Sequence, residues 1–233
     1  MSKIAIVSDI HANLPALEAV IKELENHGPD SWLCLGDTVG YGPHPDECIQ
    51  LVRSLNMNTV MGNHDAGVVK QLTERHFRNP NRTLIKKTRD LLSPENYAWL
   101  SNLPYTLETD NWIAAHASPI HPENWMYLES AFTIRNILKE MKQHICFVGH
   151  THKPGVVSDS IGVNQLKKGH KFLINPGSVG QSRDGDFRAS CGILDINSLT
   201  YQNFRVPFNL DKVLTDLERL GFSRKEAEHL MRA

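Results

Sequence analysis

Five short segments carry side chains of the kinds that bind cations: Asp9-Ile10-His11, Gly36-Asp37, Gly62-Asn63-His64-Asp65, His116 and Gly149-His150-Thr151-His152. Their donors are carboxylates, imidazoles and one amide, with no thiolate among them. Such a set suits manganese, iron, zinc or nickel better than a structural zinc site built on cysteine. One carboxylate can offer an oxygen to each of two cations and offset their repulsion, and Asp37 is the candidate for that bridge. A single histidine in an ordinary chain reads as a solvated or core residue. What points to a shared centre with room for two ions is that these residues recur in order, each just beyond an apolar run.

Those runs are the elements that must position the donors. Ile4-Val7, Trp32-Leu35, Thr59-Met61, Ile113-Ala115 and Ile145-Val148 are short and mostly apolar, the pattern of strands covered on both faces. Between them, Leu14, Leu17, Val20, Ile21 and Leu24 share one helical face, as do Cys48, Ile49, Val52 and Leu55. Alternation of strand and helix predicts a parallel-rich sheet, in which ligands collect outside the carboxyl ends of the strands. All the donors are therefore expected at one edge of one sheet. The glycines before Asp37, Asn63 and His150 leave room for a sharp turn or a close approach to an ion.

From Asp65 to Asn111 the pattern is helical, with Leu84, Ile85, Thr88, Leu91 and Leu92 on one face and Ser93-Pro94 as a helix start. This predicts a helical insert at about 66–111, either a wall beside the site or plain scaffold. After His152, the segments Val156-Val157, Phe172-Ile174, Cys191-Leu194 and Tyr201-Val206 read as strands of a second, partly antiparallel sheet, with Asn175-Pro176-Gly177-Ser178 as a turn. The tail, at about 209–232, places Leu210, Val213, Leu214 and Leu217 on one helix face, then Ser223 and Glu226 in capping-box spacing.

The order D-x-H, G-D, G-N-H-[DE], a lone His and G-H-x-H, spanning Asp9 to His152, resembles the calcineurin-like metallophosphoesterases. Gly36-Asp37-Thr38-Val39-Gly40-Tyr41-Gly42-Pro43 and Asn175-Pro176-Gly177-Ser178-Val179-Gly180 are similar to the small bacterial and archaeal phosphodiesterase branch, so the resemblance runs to about Leu194. It implies an α/β fold, a four-layer αββα sandwich of two mixed sheets, in a single domain over 1–233. It also implies two divalent transition metal ions per chain, manganese first, with iron, zinc or nickel as alternatives. Asp9, His11, Asp37 and His152 would hold one ion; Asp37, Asn63, His116 and His150 would hold the other. Two ions about 3.5–4 Å apart share and activate a water as hydroxide for in-line attack at phosphorus. His64 would then protonate the departing oxygen or stabilise the charge building there.

The protein Ser/Thr phosphatase branch continues its Gly-Asp segment with a second Asp and an Arg, where this chain has Gly40 and Tyr41. Neither can orient the catalytic His or grip phosphate as those residues do. Asp65 is a candidate partner for His64, and Arg183 and Arg188 are candidates for the substrate phosphate, because a guanidinium forks onto its oxygens. Both arginines flank Asp184-Gly185, which also reads as a solvated loop tip.

The expected activity is phosphodiester hydrolysis of a small phosphorylated molecule or nucleotide. Dinucleoside tetraphosphate hydrolysis, phosphomonoester hydrolysis and a non-catalytic metal-dependent binding scaffold stand as alternatives. A formal charge of −1, with no Lys/Arg stripe, gives no footprint for a stable nucleic acid complex. No apolar stretch approaches the roughly 20 residues needed to cross a bilayer. Cys34, Cys48, Cys146 and Cys191 lack C-x-x-C spacing and read as reduced thiols in a cytoplasm. Monomer or homo-oligomer is left open.

Overall fold

The computed structural model describes residues 2–69, Phe77 and 81–231. Its strands form two five-stranded mixed sheets. In the first sheet, β1 (Lys3–Val7), β2 (Ser31–Cys34) and β3 (Asn58–Thr59) are parallel neighbours, and β9 (Ala189–Asp195) and β10 (Thr200–Val206) continue it antiparallel on the other side of β1. In the second, β5 (Trp112–Ala115), β6 (Ile145–Phe147) and β8 (Phe172–Asn175) are parallel, flanked by antiparallel β4 (Thr106–Glu108) and β7 (Gly155–Ser158).

This corrects the expectation of a single donor-bearing sheet. Ile113-Ala115 and Ile145-Val148 do not join the amino-terminal strands; they build the second sheet. Cys191-Leu194 and Tyr201-Val206, expected in the second sheet, join the first instead, the former beside β1 and the latter beyond it at the sheet edge. Local pattern marks each of these runs as a strand without choosing its neighbours. Thr59-Met61 also hydrogen-bonds as a strand over Asn58–Thr59 alone, since the Met61 amide donates to Pro104 O outside the sheet.

Side-chain alternation separates the layers. Along β1, Ile4 and Ile6 meet Ala114, Ile145, Phe147 and Ile174 of the facing sheet, while Ala5 and Val7 point to the opposite side. There they meet Leu17, Val20 and Leu24 of α1 (Leu14–Glu25) and Val52 of α2 (Pro45–Ser54). On the outer face of the second sheet, Cys146, Val148 and Leu173 receive Ile134, Ile137 and Leu138 of the helix Ala131–Glu140. Helix, sheet, sheet and helix give four layers.

Local signals start several helices where the sequence predicts them. The Asn13 side chain accepts from Ala16 N at 3.2 Å, capping α1. α3 covers Asn63–Val69, and α4 covers Asn81–Leu91. Within the expected insert, residues 70–76 and 78–80 lie outside the described residues. Ser93 caps α5 (Pro94–Ser101), with Pro94 in its first turn, and the Ala131–Glu140 helix is α6. α7 spans Leu210–Arg219 and α8 spans Arg224–Met231. Ser223 and Glu226 form a reciprocal box at the start of α8: Ser223 N donates to Glu226 Oε2 at 2.8 Å, and Glu226 N donates to Ser223 Oγ at 3.3 Å. No helix of the described residues is long and apolar enough to cross a membrane.

Phe147 is fully buried between the sheets, its ring centroid 5.9 Å from that of Trp112. Phe147→Ala is expected to lower unfolding stability by about 3–5 kcal/mol, read as a fall in urea midpoint at constant slope.

Candidate metal centre

The carboxyl ends of β1, β2 and β3 in one sheet, and of β5 and β6 in the other, open onto a common space. Asp9 and His11 follow β1, Asp37 follows β2, and Asn63 and His64 begin α3 after β3. His116 follows β5, and His150 and His152 follow β6. The chain after β8 crosses over and binds the two sheets together: Val179 N and Gly180 N donate to Ser8 O and Asp9 O, both at 2.9 Å. Gly149 N donates to His116 O at 2.9 Å.

Backbone conformation aims these side chains inward. Asp9, His11, Asp37, His150 and His152 all lie at φ between 50° and 64°, the left-handed region that non-glycine residues enter at a cost of about 1–3 kcal/mol each. Hydrogen bonds hold the turns in that shape. Asp9 N donates to Gly36 O at 3.0 Å, and His11 N donates to Asp37 O at 2.9 Å. Gly62 sits against Asp37 so closely that a Cβ would overlap its carboxylate and amide.

Apart from half-buried Asn63, the eight candidate residues are at most 5% exposed. Donor atoms of Asp9, His11 and His152 lie within 4.8 Å of one another, and so do those of Asp9, Asp37 and His116. Asn63 Oδ1 is 3.1 Å from His116 Nε2. His150 is in neither group. Its amide donates to both Asp9 carboxylate oxygens, at 3.3 and 3.1 Å, and its ring centroid is 5.0 Å from that of His116.

Hydrogen bonding fixes which ring nitrogens carry protons. A carbonyl oxygen only accepts, so His11 Nδ1 donates to Val39 O (3.3 Å), His116 Nδ1 to Leu35 O (2.7 Å) and His152 Nδ1 to Gln181 O (2.5 Å). In the neutral rings, each Nε2 then carries a lone pair. His11 Nε2 and His152 Nε2 face each other at 3.1 Å, His152 Nε2 lies 3.3 Å from Asp9 Oδ1, and His116 Nε2 lies 3.3 Å from Asp37 Oδ2. His150 is turned the other way: its Nε2 donates to Trp125 O at 3.0 Å, leaving Nδ1 with the lone pair. Opposed lone pairs in a buried space repel unless a cation lies among them. The donor set fits divalent metal ions on that ground.

Without a cation, burial and the carboxylates divide the protons. Burial disfavours charged His116, but Asp37 and Asp9 outweigh it and lift its pKa to about 9. Burial dominates at His64 and His150, pushing them down to about 4 and about 3. Asp9 and Asp37 are desolvated, yet the surrounding imidazoles hold both below the usual carboxylate range.

His64 donates its amide to Asp37 Oδ1 at 2.8 Å, and its ring packs edge-on to His11 and Phe77. Its Nδ1 is buried without a hydrogen-bond partner among the described residues. Asp65 does not orient it, because both Asp65 oxygens are occupied by Val39 N (3.1 Å) and Gly62 N (3.0 Å). Burial, reinforced by Asp37, raises the Asp65 pKa. Gly40 is also explained: at φ +135°, a Cβ there would stand 2.6 Å from His11 Nδ1 and 2.8 Å from His64 Nδ1.

The two arginines part company. Arg183 reaches Tyr41 OH through Nη2 at 3.1 Å, and the Tyr41 ring lies 4.5 Å from His11 and 4.6 Å from His64 between centroids. Arg188 is half-exposed and donates through Nε and Nη2 to Asp186. Among the described residues, no contact carries Arg188 to the cluster. Sequence reasoning missed several residues that shape the site: Ser8, whose hydroxyl donates to Asp9 Oδ2 at 2.7 Å, Gln181, and Tyr127, stacked on His150 at 4.0 Å. Ser8 adjoins a ligand and was discoverable; the other two carry no motif.

The family model described as the calcineurin-like phosphoesterase superfamily domain matches residues 2–199. An uncharacterized protein of Methanocaldococcus jannaschii is 38% identical over 91% of this chain and 90% of its own length. The phosphodiesterase YfcE of Escherichia coli is 27% identical over 86% and 91%. The crystal structure of a metallophosphoesterase from Sphaerobacter thermophilus superposes with a TM-score of 0.84 at 34% identity, covering 98% of both chains. With the D-x-H to G-H-x-H donors gathered at the mouth of two facing sheets, this chain belongs to the calcineurin-like phosphoesterase superfamily and is a metal-dependent phosphoester hydrolase.

Proposed function

We propose that the chain is a phosphodiesterase acting on a small phosphorylated molecule or nucleotide, with two divalent ions per chain. The observation that carries this reading is the set of opposed imidazole lone pairs facing Asp9 and Asp37. Asp9, His11, Asp37 and His152 would hold one ion; Asp37, Asn63, His116 and His150 would hold the other, with Asp37 between them. Bound there, such ions supply Lewis acidity to the phosphoryl oxygens and lower the pKa of a water nucleophile. Carboxylate and imidazole ligands tolerate several first-row ions, so availability decides among them; manganese is the first choice, with iron, zinc and nickel as competitors.

His64 acts as a neutral donor. Burial pushes its pKa to about 4, and cations beside it would push further in the same direction, so at neutral pH it is a neutral imidazole with one N–H and not an imidazolium acid. Its ring N–H can still stabilise charge building on the departing oxygen. Arg183 is the candidate for the phosphoryl oxygens, and Arg188 remains a weaker one. A diester has a single negative charge, which one guanidinium beside the ions can match. The relative named a phosphodiesterase supports the same preference. Four buried free thiols fit a reducing cytoplasm.

With Mn²⁺ added, bis(p-nitrophenyl) phosphate should be hydrolysed at higher kcat/KM than p-nitrophenyl phosphate or diadenosine tetraphosphate; a monoester preference would sink the diester reading. His64→Ala should lower kcat by about 10²–10⁴-fold with metal content unchanged. The ratio of wild-type to His64→Ala rates should stay constant from about pH 6 to 8, whereas an imidazolium acid would give a ratio that shrinks as pH rises. Dialysis against a chelator should abolish turnover and lower Tm, Mn²⁺ should restore both, and elemental analysis of the restored protein should find two ions per chain. Asp37→Ala should reduce that number.

A further inference from the structure

The family match ends at residue 199, yet the two terminal helices beyond it reach the metal centre. Val213, Leu217, Phe222 and Leu230 pack with Leu84 and with Tyr41, the residue whose ring lies on His11 and His64. A second connection is polar. Gln181, 1% exposed, donates its side-chain Nε2 to Leu230 O in the last turn of α8 at 2.5 Å. The carbonyls of a final helical turn lack partners within the helix, and here a side chain supplies one.

That bond decides what the other end of the amide presents. An amide has one donor end and one acceptor end. With Nε2 engaged by Leu230 O, Oε1 must face the opposite way, and there it accepts from Arg183 Nε at 3.2 Å and Nη2 at 2.9 Å. A flipped amide would instead turn its NH₂ toward the guanidinium and find no acceptor. Arg183 Nη2 also donates to Tyr41 OH, so two tethers fix the plane of the guanidinium. Nη1, with two further N–H groups, has no partner among the described residues.

We propose that Gln181, hung from the carboxyl end of α8, and Tyr41, packed against α7 and α8, are positioning residues that hold the free edge of Arg183 toward a substrate phosphoryl oxygen. This rests on the reading of Arg183 as a phosphate contact. The backbone carbonyl of Gln181 also orients His152, but a side-chain substitution leaves that carbonyl in place. Side-chain effects on anion binding and on metal loading are therefore separable.

The test is calorimetric titration of the Mn²⁺-loaded full-length protein with inorganic phosphate, alongside metal analysis. Arg183→Met and Gln181→Met should each weaken phosphate roughly tenfold, the scale of one charged hydrogen bond, with metal content at the wild-type value. The double variant should bind no more weakly than Arg183→Met alone, because Gln181 acts only through the arginine. Gln181→Asn keeps a polar side chain but is one methylene too short to span Leu230 O and Arg183; it too should weaken phosphate. Tyr41→Phe should give a smaller loss that disappears in the Arg183→Met background. Additive losses, wild-type affinity in both Gln181 variants, metal loss in Gln181→Met, or a wild type that binds no phosphate would each overturn the proposal. Turnover of bis(p-nitrophenyl) phosphate is read separately. A wild type that binds phosphate through Arg183 but cleaves no ester removes the hydrolytic reading and leaves the positioning device standing. Active wild type with phosphate affinity unchanged in Arg183→Met does the reverse.

Discussion

Three backbone carbonyls, from Leu35, Val39 and Gln181, impose the arrangement on which the rest of the structure depends. Each takes the Nδ1 proton of one histidine and so turns an Nε2 lone pair toward Asp9 or Asp37. In water such an arrangement would relax by rotating the rings. In a buried space the rings are packed and the dielectric is low, so the lone pairs stay opposed and the cluster becomes a strong field for a cation. Hydrogen bonds to the far nitrogen also raise ligand basicity and fix ring orientation, which links metal affinity to backbone positions several elements away. When no cation is present, protons are a poor substitute. Burial drives them off His64 and His150, while Asp37 and Asp9 hold one on His116.

Such a cluster needs a scaffold that does not yield. Five of its residues have left-handed backbones, and strain of that kind persists only where neighbouring contacts over-determine the turn. Two facing sheets provide this better than one. Asp9 and Asp37 arrive from one sheet, His116, His150 and His152 from the other, and the crossing segment Val179-Gly180 ties β1 to the loop after β8. The shared apolar layer of Ile6, Leu33, Phe147 and Ile174 then fixes the separation of the two strand sets, and with it the spacing of the donors.

The donors themselves were legible in the sequence because each motif is local: a short apolar run, a turn and a ligand within a few residues. Helix starts at Ser93 and Ser223 were legible for the same reason, since a cap involves residues only three positions apart. Sheet membership was not. Cys191-Leu194 and Ile145-Val148 have the same apolar character, and what sends one beside β1 and the other beside β8 is long-range pairing that no window of sequence contains. The surroundings of His64 were hidden in the same way. Asp65 adjoins it in sequence, but helix geometry turns the carboxylate back onto Gly62 and Val39.

Gly40 limits what the segment after Asp37 can supply beside His64. Any side chain there would collide with His11 and His64, so the segment after Asp37 cannot supply a carboxylate to orient the histidine. Tyr41, next in line, offers a hydroxyl but no charge. The guanidinium that reaches the Tyr41 hydroxyl is that of Arg183, about 140 positions away in a loop that by itself would be a solvated arm. An arginine loses considerable rotamer freedom when it is fixed, and a loop cannot hold it unaided. Here the holding groups are Gln181 Oε1 and Tyr41 OH, and both are in turn held by the terminal helices, one through the Leu230 carbonyl and the other through packing. The ligand cluster is built at the carboxyl ends of β1, β2, β5 and β6, while the Arg183 guanidinium is held by groups that rest on the two terminal helices. On the proposed reading, the side chains that would hold the ions and those that hold Arg183 are different, and Gln181 touches both groups, through its carbonyl to His152 and through its side chain to Arg183.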